Sequence, residues 1–367
     1  MHRSSLARAY AASVAAPARQ PLVWLLMGSR AGDNNQLLAL ANALGFPFEV
    51  KKLDFNGLRR IAILRNGLTI LARRSRELIT PPWPDLVLCV GYGSVPVARY
   101  IRSQAGGRTK LVHVGNPREP LEDFDLQITT PQYTRGTAPN LLELYFPIGN
   151  PARDIRPTSE ELHWLDAFPR PRRMIAIGGP ARHWELDHSA LREAIRRIRS
   201  KFPSGSLIVA TSPRTRPSTR DLLQSLVAGE QDALVDTFPR FGTLLRHCDE
   251  IYVTADSVSM LAEAILSGKP VGMIPIKRSF RGLVTKWLFE LPFRRRTLPN
   301  FQHFWALLKR HNVVGTVELP VASQVCDTVE RTADAVRSLW APGDDFFDEG
   351  RAERTASHMG PARRASR

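Results

Sequence analysis

Asp256-Ser257-Val258-Ser259, with Glu263 one turn further on, is the part of this chain whose residue types and spacing come nearest to chemistry. The preceding Ile251-Tyr252-Val253-Thr254 is β-branched and aromatic, as a buried parallel strand requires. The small polar residues after it open a helix whose first N–H groups have no intrahelical acceptor, and a diphosphate is readily held there. Gly268 ends that helix and Pro270 blocks its continuation. Val258, Leu261, Ala262 and Ile265 share one helical face, so Glu263, about 200° round from Leu261, points elsewhere. A solvated glutamate on an ordinary α/β helix fits the same spacing.

Two more loops complete this set. Gly178-Gly179 follows a strand over Met174 to Ile177, and Thr211-Ser212-Pro213-Arg214 follows one over Leu207 to Ala210. Parallel strands bring such loops to one sheet edge, where backbone N–H groups, the hydroxyls and Arg214 suit a diphosphate with no obligatory metal. Earlier in the chain, Gly28-Ser29-Arg30-Ala31-Gly32-Asp33 and Gly91-Tyr92-Gly93-Ser94 also stand between a strand and a helix and would face that edge across a cleft. Gly28 and Gly32 read equally well as tight-turn glycines. Neither GSRAGD nor GGPARH has dinucleotide-fingerprint spacing and no Walker A lysine is present, which disfavours a nicotinamide dehydrogenase or P-loop NTPase.

Strand patterns alternate with helical periodicity along the chain, the signature of parallel sheets covered by helices: an α/β protein with two Rossmann-like domains. Strands are expected at 22–27, 48–53, 85–90, 110–114 and 126–129, and a long helix over Gly57 to Ile79. Pro147 to Arg173 is proline-rich and carries a short helix opened by a Thr158-x-x-Glu161 capping box, so it reads as the interdomain connection. The expected division is a disordered arm at 1–20, a first domain at 21–149, a linker at 150–172, a second domain at 173–322, a helix at 323–340 that could pack back on the first domain, and a disordered tail at 341–367.

A chain of 367 residues, 43% hydrophobic, can bury two cores, and its apolar runs are too short to span a bilayer. Three cysteines without a C-x-x-C pair argue against disulfides and structural zinc. The net charge of +16 persists in the body of the chain and favours polyanionic partners. Nucleic acid ranks lowest among these because no recognition motif is present. The acid-free MHRSSLARAYAASVAAPARQ fits a disordered arm and also a mitochondrial transit peptide. Arg outnumbers Lys 43 to 8, which points to a bacterial cytoplasmic protein.

GSRAGDNNQ, GGPARHWELD, TSPRTR and VTADSVSMLAEAILSGKPV together resemble the mitochondrial fission ELM family over roughly residues 22 to 340; its bacterial members carry the label nucleoside-diphosphate-sugar epimerase. The C-terminal part is also similar to GT-B glycosyltransferases such as the UDP-N-acetylglucosamine transferase of peptidoglycan lipid synthesis. The resemblance implies a GT-B-like fold with a nucleotide sugar as substrate and no separate cofactor. Ser257 and Ser259 would then lie at the diphosphate, Glu263 at the ribose hydroxyls, and Gly178 and Gly179 near the sugar or phosphate. His113 to Arg118 and Ile128 to Tyr133 depart from the family pattern. For a transferase, the base for the acceptor hydroxyl should come from first-domain loops, with Asp33 and His113 as candidates. A helix cap and a core histidine are the plain alternatives.

Two basic stretches, Gly57 to Ile79 and Lys277 to Arg296, combine apolar and arginine-rich faces. Either could rest on an anionic membrane or hold a lipid-linked acceptor, and a core-packed helix with a solvated basic face fits the first equally well. Metal-independent glycosyl transfer is therefore expected, with a non-catalytic fission or division scaffold and a sugar-nucleotide epimerase as the alternatives.

Overall fold

The computed structural model describes residues 20–60, 67–133, 136–149, 156–180, 184–201, 203–227, 229–279, 300–324 and 328–340. Among the described residues the strands run in chain order: β1 Val23–Met27, β2 Phe48–Lys52, β3 Leu86–Val90, β4 Lys110–Val114, β5 Leu126–Thr129, β6 Leu141–Glu143, β7 Arg172–Ala176, β8 Trp184–Glu185, β9 Ser206–Ala210, β10 Ala233–Val235, β11 Glu250–Thr254, β12 Pro270–Ile274, β13 Lys277–Arg278 and β14 Val321–Ala322. Among the described residues the helices are α1 Ala31–Leu44, α2 Arg73–Glu77, α3 Val95–Gln104, α4 Ser159–Asp166, α5 His188–Lys201, α6 Pro217–Leu226, α7 Phe241–His247, α8 Val258–Leu266, α9 Phe301–Arg310 and α10 Thr328–Arg337.

Two six-stranded sheets result. The first has the order β2-β1-β3-β4-β5-β6 and is parallel throughout. The second has the order β10-β9-β7-β11-β12-β14, parallel except for β14, which runs against β12. The central strands are apolar and covered on both faces, whereas the edge strand β2 is largely exposed. On β1, Val23, Leu25 and Met27 enter the core beneath α1, while Trp24 and Leu26 enter the opposite one. On β7 and the residue after it, Met174 and Ala176 alternate with Ile175 and Ile177 in the same way.

The strand order reverses between β1 and β3 in the first sheet and between β7 and β11 in the second. Loops at a reversal diverge to opposite faces and leave a crevice at the carboxyl ends of the strands. The loops led by Gly28, Gly91, Gly178 and Asp256 follow those four strands. The halves meet at several points. Leu144 and Ile148 belong to the first core and Phe146, between them, to the second. The Asn300 N–H donates to Gln132 O at 2.8 Å, and α10 packs on α1 through Val329, Ala333 and Val336.

Two expectations need correction. The described parts of Gly57 to Ile79 are a 3-10 turn over Gly57–Arg60, a turn at 67–70 and the short α2, not one long helix. Gly67 adopts φ 51°, Phe55 pairs with Leu71 in an antiparallel bridge, and the Asn56 side chain donates to Thr69 O and Leu71 O. A helix cannot satisfy these bonds. Arg172 and Arg173 open β7 instead of ending a linker, buried because the Arg172 N–H donates to Asp249 at 2.7 Å and the Arg173 guanidinium lies 3.5 Å from Glu250. The capping box at Thr158 and Glu161 is present in both directions, at 3.2 and 2.9 Å. The 1–19 and 341–367 segments and most of Lys277 to Arg296 lie outside the described residues.

Candidate functional site

At the second sheet's edge three loops lock together. A Cβ on Gly178 would sit 2.3 Å from Asp256 Oδ1, and one on Gly179 would sit 2.4 Å from Arg214 Cβ, so only glycine fits at either position. Thr254 Oγ1 accepts from the Gly178 N–H at 2.8 Å and donates to Asp256 Oδ1 at 2.7 Å. Thr215 Oγ1 donates to Gly178 O at 2.8 Å and accepts from the Ser212 N–H at 2.9 Å. Ser212 Oγ is 3.1 Å from Thr215 Oγ1, and the Thr211 hydroxyl donates to Asp236. Asp256, Thr211 and Ser212 are buried, and burial pushes the Asp256 carboxyl up, with the Thr254 hydroxyl and the Arg214 charge pulling it back. These side chains therefore shape the loops from within, whereas Arg214 is exposed.

The groups left open belong to α8. Its N-cap, Ser257, makes no side-chain capping bond, and the first helical bond runs from the Leu261 N–H to Ser257 O at 3.0 Å. The N–H groups of Val258, Ser259 and Met260 thus lack an intrahelical acceptor, a positive end for an anion. Val258 and Ser259 line a cavity of about 300 Å³ between the halves, with Phe301 beside them, stacked on Trp305. Such a volume is at the low end for small-molecule sites.

The opposite wall comes from the first half. Arg30, Asp33 and Gln36 of the α1 start, Gly91 and Tyr92 after β3, Gly115, Asn116 and Arg118 after β4, and Thr129 at the end of β5 with Thr130, Gln132 and Tyr133 after it line it. Burial raises the Asp33 carboxyl above its ordinary range, with Arg30 opposing, so Asp33 is a stronger base than a surface aspartate. The Tyr133 phenol is also pushed up, by burial and then by Asp33, with Arg118 and Arg30 acting against them. Gly32 packs so closely on α8 that a Cβ there would lie 3.0 Å from Ser259 Oγ. Glu263 lines a narrow gap at this seam with Asn35, Gln36 and Gly149.

The remaining sequence candidates fall elsewhere. His113 is fully buried, with its ring 5.4 Å from Phe124 and Nε2 3.3 Å from Gly91 O, because alternation on β4 turns it to the α3 side while Val114 reaches the cavity. It is a core histidine. Gly93 lies against Phe55, the Ser94 hydroxyl donates to Val90 O and Gly91 O, and Gly28 is held on both backbone atoms by the Asn34 carboxamide. Sequence reasoning did not single out Arg118, Gln132, Tyr133 or Phe301. The available signal was that the first three stand in loops directly after parallel strands.

Comparison with known proteins supplies the context. The chain is 22% identical over 237 residues to mitochondrial fission protein ELM1 of Arabidopsis thaliana, a match covering 57% of this chain and 55% of that protein. It therefore spans about half the length of that relative. The S. aureus MnaA–UDP structure superposes with a TM-score of 0.50 at 13% identity, covering 93% of this chain and 96% of that one. A UDP-glucosyltransferase from Polygonum tinctorium gives 0.47 at 12%, covering 88% and 99%. The two facing α/β halves form a GT-B-like fold. The model of the mitochondrial fission ELM1 family matches residues 31–338, and the chain belongs to that family.

Proposed function

We propose that the cavity binds a nucleoside-diphosphate sugar and that the protein transfers the sugar to an acceptor hydroxyl without a metal. The observation that carries this reading is the uncapped start of α8 at the cavity, opposite the half-buried Asp33 carboxyl. The diphosphate is received by the N–H groups of Val258, Ser259 and Met260 and by the Ser257 and Ser259 hydroxyls, and Glu263, which lines the narrow gap beside the cavity, takes the ribose when that gap opens. Gly178, Gly179, Thr211, Ser212, Arg214 and Asp256 set the loop geometry around it. Asp33 removes the acceptor's proton as its oxygen bonds to the anomeric carbon. The bond from that carbon to the phosphate oxygen breaks, and the nucleoside diphosphate leaves with its charge on the α8 dipole. Gly32 and Gly91 belong to the acceptor side; Gly28, Gly93 and Ser94 support the loops behind it. A shared fold with a protein solved with UDP supports a nucleotide of this class.

A second reading is a non-catalytic scaffold of a fission or division machine, associated with a membrane surface. The likeness to a mitochondrial fission protein of Arabidopsis favours it, as does the internal commitment of the Thr211, Ser212 and Asp256 side chains. Among the described residues no helix is long and apolar enough to cross a membrane. An epimerase would share the ligand but require acid–base groups on both faces of the sugar, whereas Asp33 serves one. The deciding experiment is thermal unfolding of the full chain with UDP, GDP, CDP, dTDP and their sugars, with and without Mg²⁺, in wild type and Glu263→Ala. At 100 times its Kd a true ligand stabilises by about 2.7 kcal/mol. The expected result is a shift with one nucleotide that is lost in the variant. No shift at millimolar concentration with any of them defeats the transferase reading and leaves the scaffold.

A further inference from the structure

The first-half wall carries polar groups that donor binding does not use. Arg30, Arg118 and Asp33 are the charged residues among those lining the cavity, two guanidiniums to one carboxylate. Arg118 is held at φ 62°, with its N–H donating to Asn116 Oδ1 at 2.9 Å and its guanidinium 5.0 Å from the centre of the Tyr92 ring. Arginine seldom occupies this backbone region, and strain of this kind concentrates at ligand clamps. Gln132 is only 5% exposed, and its Oε1 has no hydrogen-bond partner among the described residues; Thr129 Oγ1 in the same wall is in the same position. A buried acceptor without a donor is costly until something supplies one.

We propose that this wall is the acceptor subsite and that the acceptor is a polyol phosphate, with its phosphate between Arg30 and Arg118 and a hydroxyl donating to Gln132. The word acceptor rests on the transferase reading; the subsite itself does not. Guanidiniums recognise phosphate through paired N–H donors, and the carboxamide oxygen selects a neighbouring hydroxyl over an apolar group. Asp33 lies in the same wall and can take a proton from a hydroxyl bound there. A soluble sugar or glycerol phosphate and a phospholipid headgroup share this chemistry.

Calorimetric titration of the full chain with glycerol 1-phosphate, and separately with phosphatidylglycerol vesicles, tests the assignment, with glycerol and phosphatidylcholine vesicles as controls. The phosphate-bearing probes should bind, and affinity should fall roughly tenfold or more in Arg118→Gln and in Gln132→Leu. Binding of the soluble probe identifies a free polyol phosphate, and binding of the vesicles alone identifies a lipid headgroup. Circular dichroism and the nucleotide-induced thermal shift, expected unchanged in both variants, report that the fold and the donor site are intact. Binding that survives both substitutions, or no binding of either probe, overturns the proposal. Displacement of glycerol 1-phosphate by UDP also overturns it, because the arginines would then serve the donor's diphosphate. A protein that binds glycerol 1-phosphate through Arg118 but no nucleotide would keep this subsite and lose the transferase reading.

Discussion

Gly178→Ala probes the hinge point of the candidate site. The added Cβ would stand 2.3 Å from Asp256 Oδ1 and 2.9 Å from Ser257 Cβ, whereas non-bonded heavy atoms settle at about 3.5–4.0 Å. One side must therefore retreat by roughly an ångström. Neither is loose, since Thr254 Oγ1 grips the Gly178 N–H and Asp256 Oδ1 together. Overpacking of this kind costs about 1–3 kcal/mol, which urea denaturation reads directly. The displaced residues are Asp256 and the N-cap of α8, so nucleotide-sugar affinity measured by calorimetry should fall with stability. Removing the obstructing oxygen should relieve part of the cost: in an Asp256→Ala background, Gly178→Ala should destabilise less, with a coupling of about 0.5–3 kcal/mol. A single variant within about 0.5 kcal/mol of wild type, or strict additivity in the cycle, would refute the reasoning about loop contact. Lost stability with unchanged nucleotide binding would detach the ligand from α8.

Asp33→Asn should lower transfer turnover by about 10²–10⁴-fold while leaving nucleotide binding intact. Because burial raises the Asp33 pKa, the wild-type rate should fall as pH drops through a point above the ordinary aspartate value, and a limb at the ordinary value would contradict the assignment. The same burial makes the ionised carboxylate a stability cost at neutral pH, so the variant should unfold no earlier than wild type. Glu161→Gln tests the connection between the halves. Glu161 accepts from the Thr158 N–H at 2.9 Å, the Arg240 N–H at 2.9 Å and Arg240 Nε at 2.8 Å, and the Arg240 guanidinium, first among the causes, holds its carboxyl well below the usual range. A depressed pKa stabilises above the unfolded value and loses that contribution as pH falls. Because Arg240 is half exposed, the variant should be less stable by about 1.5–3 kcal/mol at pH 7, and the gap should close progressively below about pH 5. A pH-independent gap in denaturation midpoints would exclude the charge as its cause.

The regular elements were legible because burial on both faces writes strands as short apolar runs. Lys110–Val114 and Leu126–Thr129 have the expected limits, and the Thr158 and Glu161 pair announces α4 at its first residue. Failures occurred where a tertiary partner overrode local pattern. Leu58, Leu68 and Leu71 sit at helical spacing, yet the bridge from Phe55 to Leu71 bends the chain back. Arg172 and Arg173 look like linker residues until Asp249 and Glu250 are placed beside them. At the site, the loops of both reversals were legible as strand-to-helix turns, and Asp33 was found among them. One-residue parity on β4 separates buried His113 from Val114 at the cavity, a distinction that needs the sheet's orientation. Gln132 and Tyr133 come from an irregular segment with no period to read, and Phe301, the first residue of α9, is brought to them where the Asn300 N–H bonds to Gln132 O.

The placement of α10 bears on how the protein is made. Its Val329, Ala333 and Val336 fill the core beneath β1 and α1, and Arg337 Nη2 donates to Ala43 O at 2.6 Å. A ribosome delivers the first half early but withholds α10 until the strands of the second half have emerged. Until then the side of α1 that α10 covers lies open to solvent, an apolar surface of the kind that chaperones bind. A circular permutant that moves α10 to the amino terminus would remove that delay.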